Sequence, residues 1–198
     1  MNLNGNARAA GVARALTRAP LITAEQAQQE VPNGQGFYAW WAKPQALGAI
    51  EGPPHPTEDP RLLYVGIAPS RAGSGATLRS RIVRQHLRGN VGSSTLRLSL
   101  AAVLSREKSW QPSLSGSRKV RLSRDDNAAL SEWQREYLRL GWLEIDEPWK
   151  LEREVVRALK PALNRSHARG HPHVDTVGTL RDEFRRRARS TADRSRSD

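Results

Sequence analysis

The chain has 198 residues, a net charge of +12, six Trp and no Cys. This length can bury a substantial core, and the absence of thiols excludes disulfides, thiolate zinc sites and cysteine nucleophiles and fits a reducing, cytoplasmic compartment. No apolar run approaches the roughly 20 residues that cross a membrane, so we expect a soluble protein with no membrane partner.

The N-terminal segment is basic. Its first 24 residues contain Arg8, Arg14 and Arg18 but no acid, a composition that transit peptides share. We predict a flexible or DNA-contacting N-terminal arm, followed by a helix over "TAEQAQQ" that Thr23 caps.

Turn residues, caps and apolar periodicity predict the elements that follow. In chain order these are a strand over "GFYAWWAK", a proline-rich loop over residues 44–60, a strand over "RLLYVGIA", a helix over "LRSRIVRQHLRG", a helix from Ser94 through Leu104, irregular chain over residues 105–120, a helix from Ser123 to about Leu140, a strand over "GWLEID", and a helix from Pro148 to Pro161. The chain ends in "RDEFRRRARSTADRSRSD", which predicts a short basic helix running into disorder. This order predicts an α/β sandwich built on a small sheet.

Most of the excess positive charge lies in one segment. Residues 71–124 carry twelve Lys or Arg residues and one acid, a net charge of +11. Such a segment is either an ordinary solvated surface or a surface that binds a phosphate backbone, and composition does not separate the two. Under the second interpretation, the arginines predicted to contact nucleic acid are Arg79, Arg84, Arg88 and Arg97.

Several short motifs occur in a fixed order along the chain. They are "GFY" at 36–38, "YVG" at 64–66, an Arg and a His in the next helix, and Glu152 twelve residues before Asn164. Together they resemble the GIY-YIG nuclease superfamily over residues 34–164. The resemblance implies a three-stranded sheet flanked by helices, a single divalent metal ion, and hydrolysis of nucleic-acid phosphodiester bonds.

The resemblance also suggests how the chain is divided. We expect an N-terminal arm or helix over residues 1–30, a GIY-YIG-like domain over residues 31–170, and a basic C-terminal extension over residues 171–198.

Glu152 stands among apolar neighbours on a helical wheel, whereas Glu154 falls beside Lys150 and Arg157 on a face that we expect to be solvated. A carboxylate that faces the core needs a cation. Mg²⁺ or Mn²⁺ would satisfy it, because these ions prefer oxygen ligands, and a buried Arg is the alternative partner. The resemblance places the metal-binding glutamate of the family at Glu152.

Tyr38 and Tyr64 lie on the two predicted strands at positions that can face one side of the sheet. Core packing with satisfied hydroxyls would explain both residues. The resemblance assigns the two motif tyrosines to positioning and activating the attacking water. It also leads us to expect that Gly66 permits a close backbone approach and that Asn164 supports the site, although a simple turn residue would also explain Asn164.

The catalytic arginine is where the chain departs from the family pattern. The family places a His four residues after this Arg, but here Gln85 occupies that position and His86 follows it. The resemblance assigns Arg81 to holding the scissile phosphate and His86 to the site, and a one-residue helical bulge would place the two on one face. Arg79 is the alternative arginine, because an ideal helix aligns it with His86. A histidine on the basic face that touches phosphate or solvent is the alternative for His86.

The sequence therefore predicts a metal-dependent endonuclease that acts on DNA, whether duplex, branched or single-stranded. The alternative is a nucleic-acid-binding module of the same fold with impaired catalysis, which the offset between Arg81 and His86 favours. The oligomeric state does not follow from the sequence.

Overall fold

The computed structural model describes residues 3–168 and 170–194 of the chain. The helices and strands are, in chain order, α1 (Leu3–Thr17), α2 (Ala24–Glu30), β1 (Gly36–Ala42), β2 (Arg61–Ala68), a π-helix (Ser80–Leu87), α3 (Thr95–Lys108), β3 (Ser113–Leu114), β4 (Val120–Arg121), α4 (Arg124–Tyr137), β5 (Leu138–Glu144), a 3₁₀ turn (Pro148–Lys150), α5 (Glu152–Leu159) and α6 (Val174–Arg194).

Strand β1 lies at the centre of the main sheet, with β2 and β5 antiparallel on either side. All seven residues of β1 are buried, because helices cover both faces of the sheet. A strand covered on both faces has no solvated side, which explains why "GFYAWWA" contains no polar alternation. The three-stranded sheet flanked by helices is confirmed.

Successive side chains of β1 point to opposite faces of the sheet. Tyr38 and Trp40 enter a core that also contains residues of α2, the π-helix, α3, α4 and α6. Phe37 and Trp41 enter a second core, which α1 and α5 complete. The two tyrosine motifs therefore face the side of the sheet that the π-helix covers.

Two predicted boundaries differ from the structure. Strand β5 begins at Leu138 and not at Gly141, because Leu138 and Leu140 pair with the end of β1 and are buried there. Helix α3 continues to Lys108, and the segment predicted as irregular then forms the short β3–β4 hairpin.

The prediction of a flexible N-terminal arm is wrong for residues 3–17. They form α1, whose residues Ala9, Val12, Ala13 and Leu16 are buried against the second core. This spacing is the i, i+3, i+4, i+7 pattern of one helical face, formed here by small side chains. The predicted division of the chain at residues 30 and 170 stays a prediction.

Helix α6 is longer than the predicted C-terminal helix. It spans 21 residues and packs along α3 through apolar residues that include Val177, Leu180 and Phe184. Most of the segment predicted to be disordered is therefore helical, and residues 195–198 lie outside the described residues. No helix within the described ranges is both long enough and apolar enough to span a membrane.

Candidate active site

The two motif tyrosines meet on one face of the sheet. Tyr38 pairs with Gly66, and Tyr64 lies opposite Trp40 on the neighbouring strand. Because Tyr38 and Trp40 are two residues apart, both point to the same face, and the strand pairing places Tyr64 there as well. The ring centroids of Tyr38 and Tyr64 are 6.4 Å apart.

Gly66 makes room for Tyr38. A Cβ atom at Gly66 would lie 2.3 Å from the Tyr38 hydroxyl oxygen and 2.4 Å from its Cζ atom, closer than any non-bonded contact allows. The close approach expected at Gly66 therefore exists, but a phenol side chain makes it and not a backbone segment.

We expect Gly66→Ala to destabilise the protein by about 1–3 kcal/mol, because the methyl group forces Tyr38 out of its position. Gly75→Ala is the control, since a Cβ atom there would meet no atom within 4 Å. Urea denaturation of both variants measures the difference. Equal midpoints would contradict the tight contact between Gly66 and Tyr38.

The helix after β2 contains the arginine and histidine of the motif, and it is a π-helix. At its C-terminal end, the Arg88 amide donates to the Val83 carbonyl at 3.1 Å, which is an i→i−5 hydrogen bond. In an ideal α-helix, residues five apart point about 140° away from each other. The wider π turn instead lets Arg81 and His86 line the same cavity. The structure thus contains the wider turn that would place Arg81 and His86 on one face.

His86 is buried and connects the sheet to helix α3. Its Nε2 atom lies 2.7 Å from the Tyr38 hydroxyl, and its Nδ1 atom lies 2.7 Å from Ser94 Oγ. Burial, together with the charges of Arg81 and Arg97, lowers the pKa of His86 to about 3. The ring is therefore neutral at pH 7, so one nitrogen donates a hydrogen bond and the other accepts one. An exposed histidine on the basic face is excluded.

This low pKa makes stability depend on pH. Unfolded His86 binds a proton below its ordinary pKa of about 6.5, whereas the folded protein keeps the ring neutral down to about 3. The free energy of unfolding should therefore fall as pH is lowered across this window, and His86→Gln should flatten that fall. Urea midpoints of both proteins measured between about pH 4 and pH 7 isolate the contribution, since both proteins share the other histidines. Parallel curves would show that His86 is protonated in the folded state.

Arg81 lies among the tyrosines and Glu152. Burial raises the pKa of both Tyr38 and Tyr64, and the positive charge of Arg81 opposes that rise in each. The Arg81 guanidinium donates to Gln85 Oε1 at 2.6 Å, and its buried Nε–H has no acceptor among the described residues. Gln85, which stands where the family pattern has histidine, thus holds the arginine in place.

Arg79 has a different role. Its guanidinium donates to the carbonyls of Val31 at 3.0 Å and Gln28 at 2.6 Å, at the C-terminal end of α2. These carbonyls have no partners within their own helix, so Arg79 satisfies them and is favoured by the helix dipole. The arrangement favours Arg81 over Arg79 as the arginine of the site.

Glu152 is the first residue of α5, which packs beside the edge strand β2. Its side chain is half-buried and forms no hydrogen bond or ion pair with any residue in the described part of the chain. Burial raises the pKa of this carboxyl, and the charges of His167 and Arg81 oppose the rise. Glu154 is also half-buried, so the face that was predicted to be solvated is only partly exposed there.

The donors around Glu152 restrict the kind of metal that fits. Over residues 3–168 and 170–194, no group of three or more His, Asp or Glu side chains could hold an ion. Structural and catalytic zinc sites need three or four protein ligands, so zinc does not fit. Mg²⁺ and Mn²⁺ fit, because one carboxylate suffices when waters and substrate phosphate oxygens complete the octahedron. The unpaired carboxylate of Glu152 is the donor available for such an ion.

Asn164 holds the strand that contains the second tyrosine motif. Its side-chain oxygen accepts from the Val65 amide, and its Nδ2 donates to the Val65 carbonyl, both at 2.9 Å. The neighbouring Leu163 amide also donates to the Leu63 carbonyl at 2.7 Å. Asn164 thereby satisfies the outer edge of β2 between Tyr64 and Gly66, a place where an unpaired backbone would otherwise be buried.

The prediction that Arg97 contacts DNA is wrong. It is 0 % exposed, and its guanidinium donates to the His86 and Leu87 carbonyls and to side chains of α4. A residue enclosed in this way cannot reach a phosphate backbone, so it joins the π-helix to α4 instead. Arg84 and Arg88 are exposed on the π-helix, and their contact with DNA stays a prediction.

Four residues of the site region escaped sequence reasoning. The sequence predicts Ser94 only as the cap of α3, and the structure contains that cap. The hydrogen bond between Ser94 Oγ and His86 Nδ1 depends on the fold. Thr95 hydrogen-bonds the Tyr64 hydroxyl at 3.0 Å, and His167 lies close enough to Glu152 to affect the pKa of that carboxyl. Arg181 similarly approaches Tyr64 from α6. No local pattern marks these positions, because each comes from a distant part of the chain.

Comparison with known proteins agrees with this geometry. The family model described as the GIY-YIG catalytic domain matches residues 36–183, which extends into α6. No curated protein and no solved structure gives a significant match. The match covers well over half of the chain and contains both tyrosine motifs, Arg81, His86, Glu152 and Asn164. The chain therefore belongs to the GIY-YIG nuclease superfamily.

Proposed function

We propose that this protein is an endonuclease that hydrolyses DNA phosphodiester bonds with the help of one divalent metal ion, Mg²⁺ or Mn²⁺, held by Glu152. The observation that supports this most directly is the convergence of Arg81, Glu152 and the Tyr38–His86 pair around one position. Membership of the superfamily makes nucleic acid the expected substrate class.

Arg81 holds the scissile phosphate in this proposal. Its guanidinium lies where its charge reaches both tyrosines and Glu152, and its Nε–H lacks an acceptor among the residues that the structure describes. A phosphate gains negative charge in the transition state of hydrolysis, and a fixed guanidinium stabilises that charge more than it stabilises the ground state. Gln85 keeps the side chain in the required orientation.

Tyr38 receives the proton of the attacking water in this proposal, and Tyr64 helps to position that water. A tyrosine whose pKa is raised by burial is rarely ionised, so it is a poor base alone, but the positive charge of Arg81 opposes that rise and favours the phenolate. The low pKa of His86 makes its ring a weak proton acceptor. The ring instead orients the Tyr38 hydroxyl, which lies 2.7 Å from its Nε2 atom, and Ser94 Oγ, 2.7 Å from its Nδ1 atom, holds the ring in place.

Glu152 would hold the metal ion through its unpaired carboxylate. When bound, such an ion supplies Lewis-acid stabilisation of the phosphate and leaving oxygens. The position of Glu152 at the start of α5 also lets the helix dipole favour its charged form.

The exposed arginines of the π-helix and the basic β3–β4 hairpin suit a phosphate backbone. The absence of cysteine fits a cytoplasmic enzyme.

The rival proposal, a binding module with impaired catalysis, depended on the offset between Arg81 and His86. That support is lost, because the π-helix absorbs the extra residue.

A cleavage assay tests the proposal. Purified protein is incubated with linear duplex, branched and single-stranded DNA and with matching RNA, in Mg²⁺, in Mn²⁺ and in EDTA. We expect DNA to be cut in the presence of either metal and to remain intact in EDTA. Binding without cleavage under every condition would support the binding module, and cleavage of RNA alone would change the substrate.

A further inference from the structure

A cavity of about 600 Å³ opens beside the candidate active site. Its walls are the π-helix, the start of α3, the β3–β4 hairpin and α6. Arg81 and His86 form one end of it, so the cavity continues directly from the position assigned to the scissile phosphate.

The cavity is strongly cationic. Among the described residues that line it there is no Asp or Glu. Its six positively charged lining residues are Arg81, Arg118, Lys119, Arg181, Arg185 and Arg189. Three of them stand four residues apart on α6 and so share one helical face. A concave surface of one sign concentrates ligands of the opposite sign.

Arg181 is the most informative of these residues. It is only 8 % exposed, yet its guanidinium makes no hydrogen bond or ion pair with any residue in the described ranges, and its Nε–H is buried without an acceptor. Arg97 is buried even more deeply, at 0 % exposed, but it places both terminal nitrogens on protein oxygens. A buried cation without partners is costly to a folded protein. Arg181 therefore lacks the contacts of a structural arginine.

The position of Arg181 relates it to the reaction. Its charge lowers the pKa of Tyr64, against the larger effect of burial, as the charge of Arg81 does. Both arginines line the cavity together with Thr95, whose Oγ1 atom lies 3.0 Å from the Tyr64 hydroxyl. Arg81 reaches this cavity from the π-helix and Arg181 reaches it from α6.

We infer that the cavity binds a single strand of nucleic acid next to the cleavage position, with Arg181 as the ligand of a neighbouring phosphate. This inference rests on the proposed function and identifies which part of the substrate enters. The volume lies in the range of pockets that enclose a small ligand, which suits one or two nucleotides of a single strand.

The other lining residues define how the strand is held. Arg118, Lys119 and Arg189 are exposed at the rim and can follow a phosphate backbone. No Phe, Tyr or Trp is among the described residues of the lining, so bases do not stack there. The cavity should therefore accept a strand of any sequence.

Binding of oligonucleotides in EDTA tests the inference without requiring cleavage. The probes are a labelled oligo(dT) of roughly ten nucleotides and a blunt duplex. Arg181→Met keeps the apolar stem and removes the charge, and Arg186→Met is the control, because it makes the same change at an exposed position of α6 outside this cavity. We expect Arg181→Met to weaken oligo(dT) binding at least tenfold and duplex binding much less, and the control to stay within about twofold.

Two further measurements separate binding from folding. The thermal midpoint of Arg181→Met without DNA should be no lower than that of wild type, because an unpaired buried cation has been removed. Arg181→Lys, which keeps the charge, should retain part of the oligo(dT) affinity and serves as the variant if Arg181→Met does not fold. Inorganic phosphate at the same concentration should not compete with oligo(dT), since it engages only one of the cations.

The outcomes are distinct. Equal oligo(dT) affinity in the Arg181 and Arg186 variants would overturn the inference, even in a protein that cleaves DNA. A lowered midpoint with equal loss of both probes would make Arg181 structural, and effective competition by phosphate would make the cavity a site for small anions. Conversely, loss of oligo(dT) binding in a protein that never cleaves would support the cavity and contradict the proposed enzyme.

Discussion

Glu152→Gln should reduce metal-dependent DNA cleavage on the order of 10³-fold or more, because it removes the carboxylate that would hold the ion, worth several kcal/mol in the transition state. The substitution preserves the shape of the side chain, so DNA binding should persist. The measurement is the single-turnover cleavage rate in Mg²⁺ and in Mn²⁺. Glu154→Gln is the matched control: it stands on the same helix and is also half-buried, but two residues from Glu152 it points to another side of the helix, so its rate should stay within a few fold.

Stability provides a second readout of the same pair. Burial raises the pKa of Glu152, so the folded protein disfavours its charged form, and stability is lost as pH rises through the raised pKa. Without metal at pH 7, the Glu152→Gln variant should therefore be at least as stable as wild type. It should also lose the rise in thermal midpoint that Mg²⁺ or Mn²⁺ gives wild type. A Glu152→Gln protein that still gains stability from metal would place the ion elsewhere.

Arg81→Ala is the second change with a large expected effect. Cleavage should fall about 10²- to 10³-fold or more, because the charge that develops on the phosphate loses its fixed guanidinium. Affinity for DNA should change little, since one cation among many is removed. Single-turnover rates and equilibrium binding, measured on the same substrate, separate the two effects.

Arg79→Ala is the control for Arg81, because it removes the same group two residues away in the chain. Its guanidinium caps the carbonyls at the end of α2, so the loss should appear as about 1–3 kcal/mol of stability and not as loss of chemistry. The Arg79 variant should cleave normally at a temperature where it is folded. Should the Arg79 variant be folded and inactive while the Arg81 variant cleaves, the assignment of the two arginines would be reversed.

Local features of the fold were predictable because their physical causes are local. Thr23 caps α2 through its own side chain and that of Gln26, and Ser94 caps α3 by accepting a hydrogen bond from the Arg97 amide. The strands β1 and β2 were evident from their aromatic and β-branched residues between Gly and Pro. The first residue of β5 was not predictable from local sequence, because α4 passes into the strand without a turn. Only the pairing with β1 fixes where the strand begins.

The errors in the site have a common reason. Arg97 belongs by sequence to a basic segment, yet it is buried because acceptors from the π-helix and α4 surround it. Arg181 begins a tail that the sequence predicts as a short basic helix running into disorder, yet α6 packs on α3 and places Arg181 in the wall of the cavity. Whether a charged side chain is a surface contact, a structural bridge or a ligand depends on its partners, and those lie far away in sequence.

The sequence by itself determined the family, the order of the main-sheet strands and of the helices from α2 to α5, and the motif residues of the candidate site, because these depend on motifs, caps and periodicities within a few residues of each other. Only the tertiary structure decided the arrangement of those residues. The π-helix aligns Arg81 with His86, the register of β1 and β2 brings Tyr38 over Gly66, and α6 closes the cavity. Each of these arrangements results from packing between segments distant in the chain, whose burial and hydrogen bonding outweigh local preference.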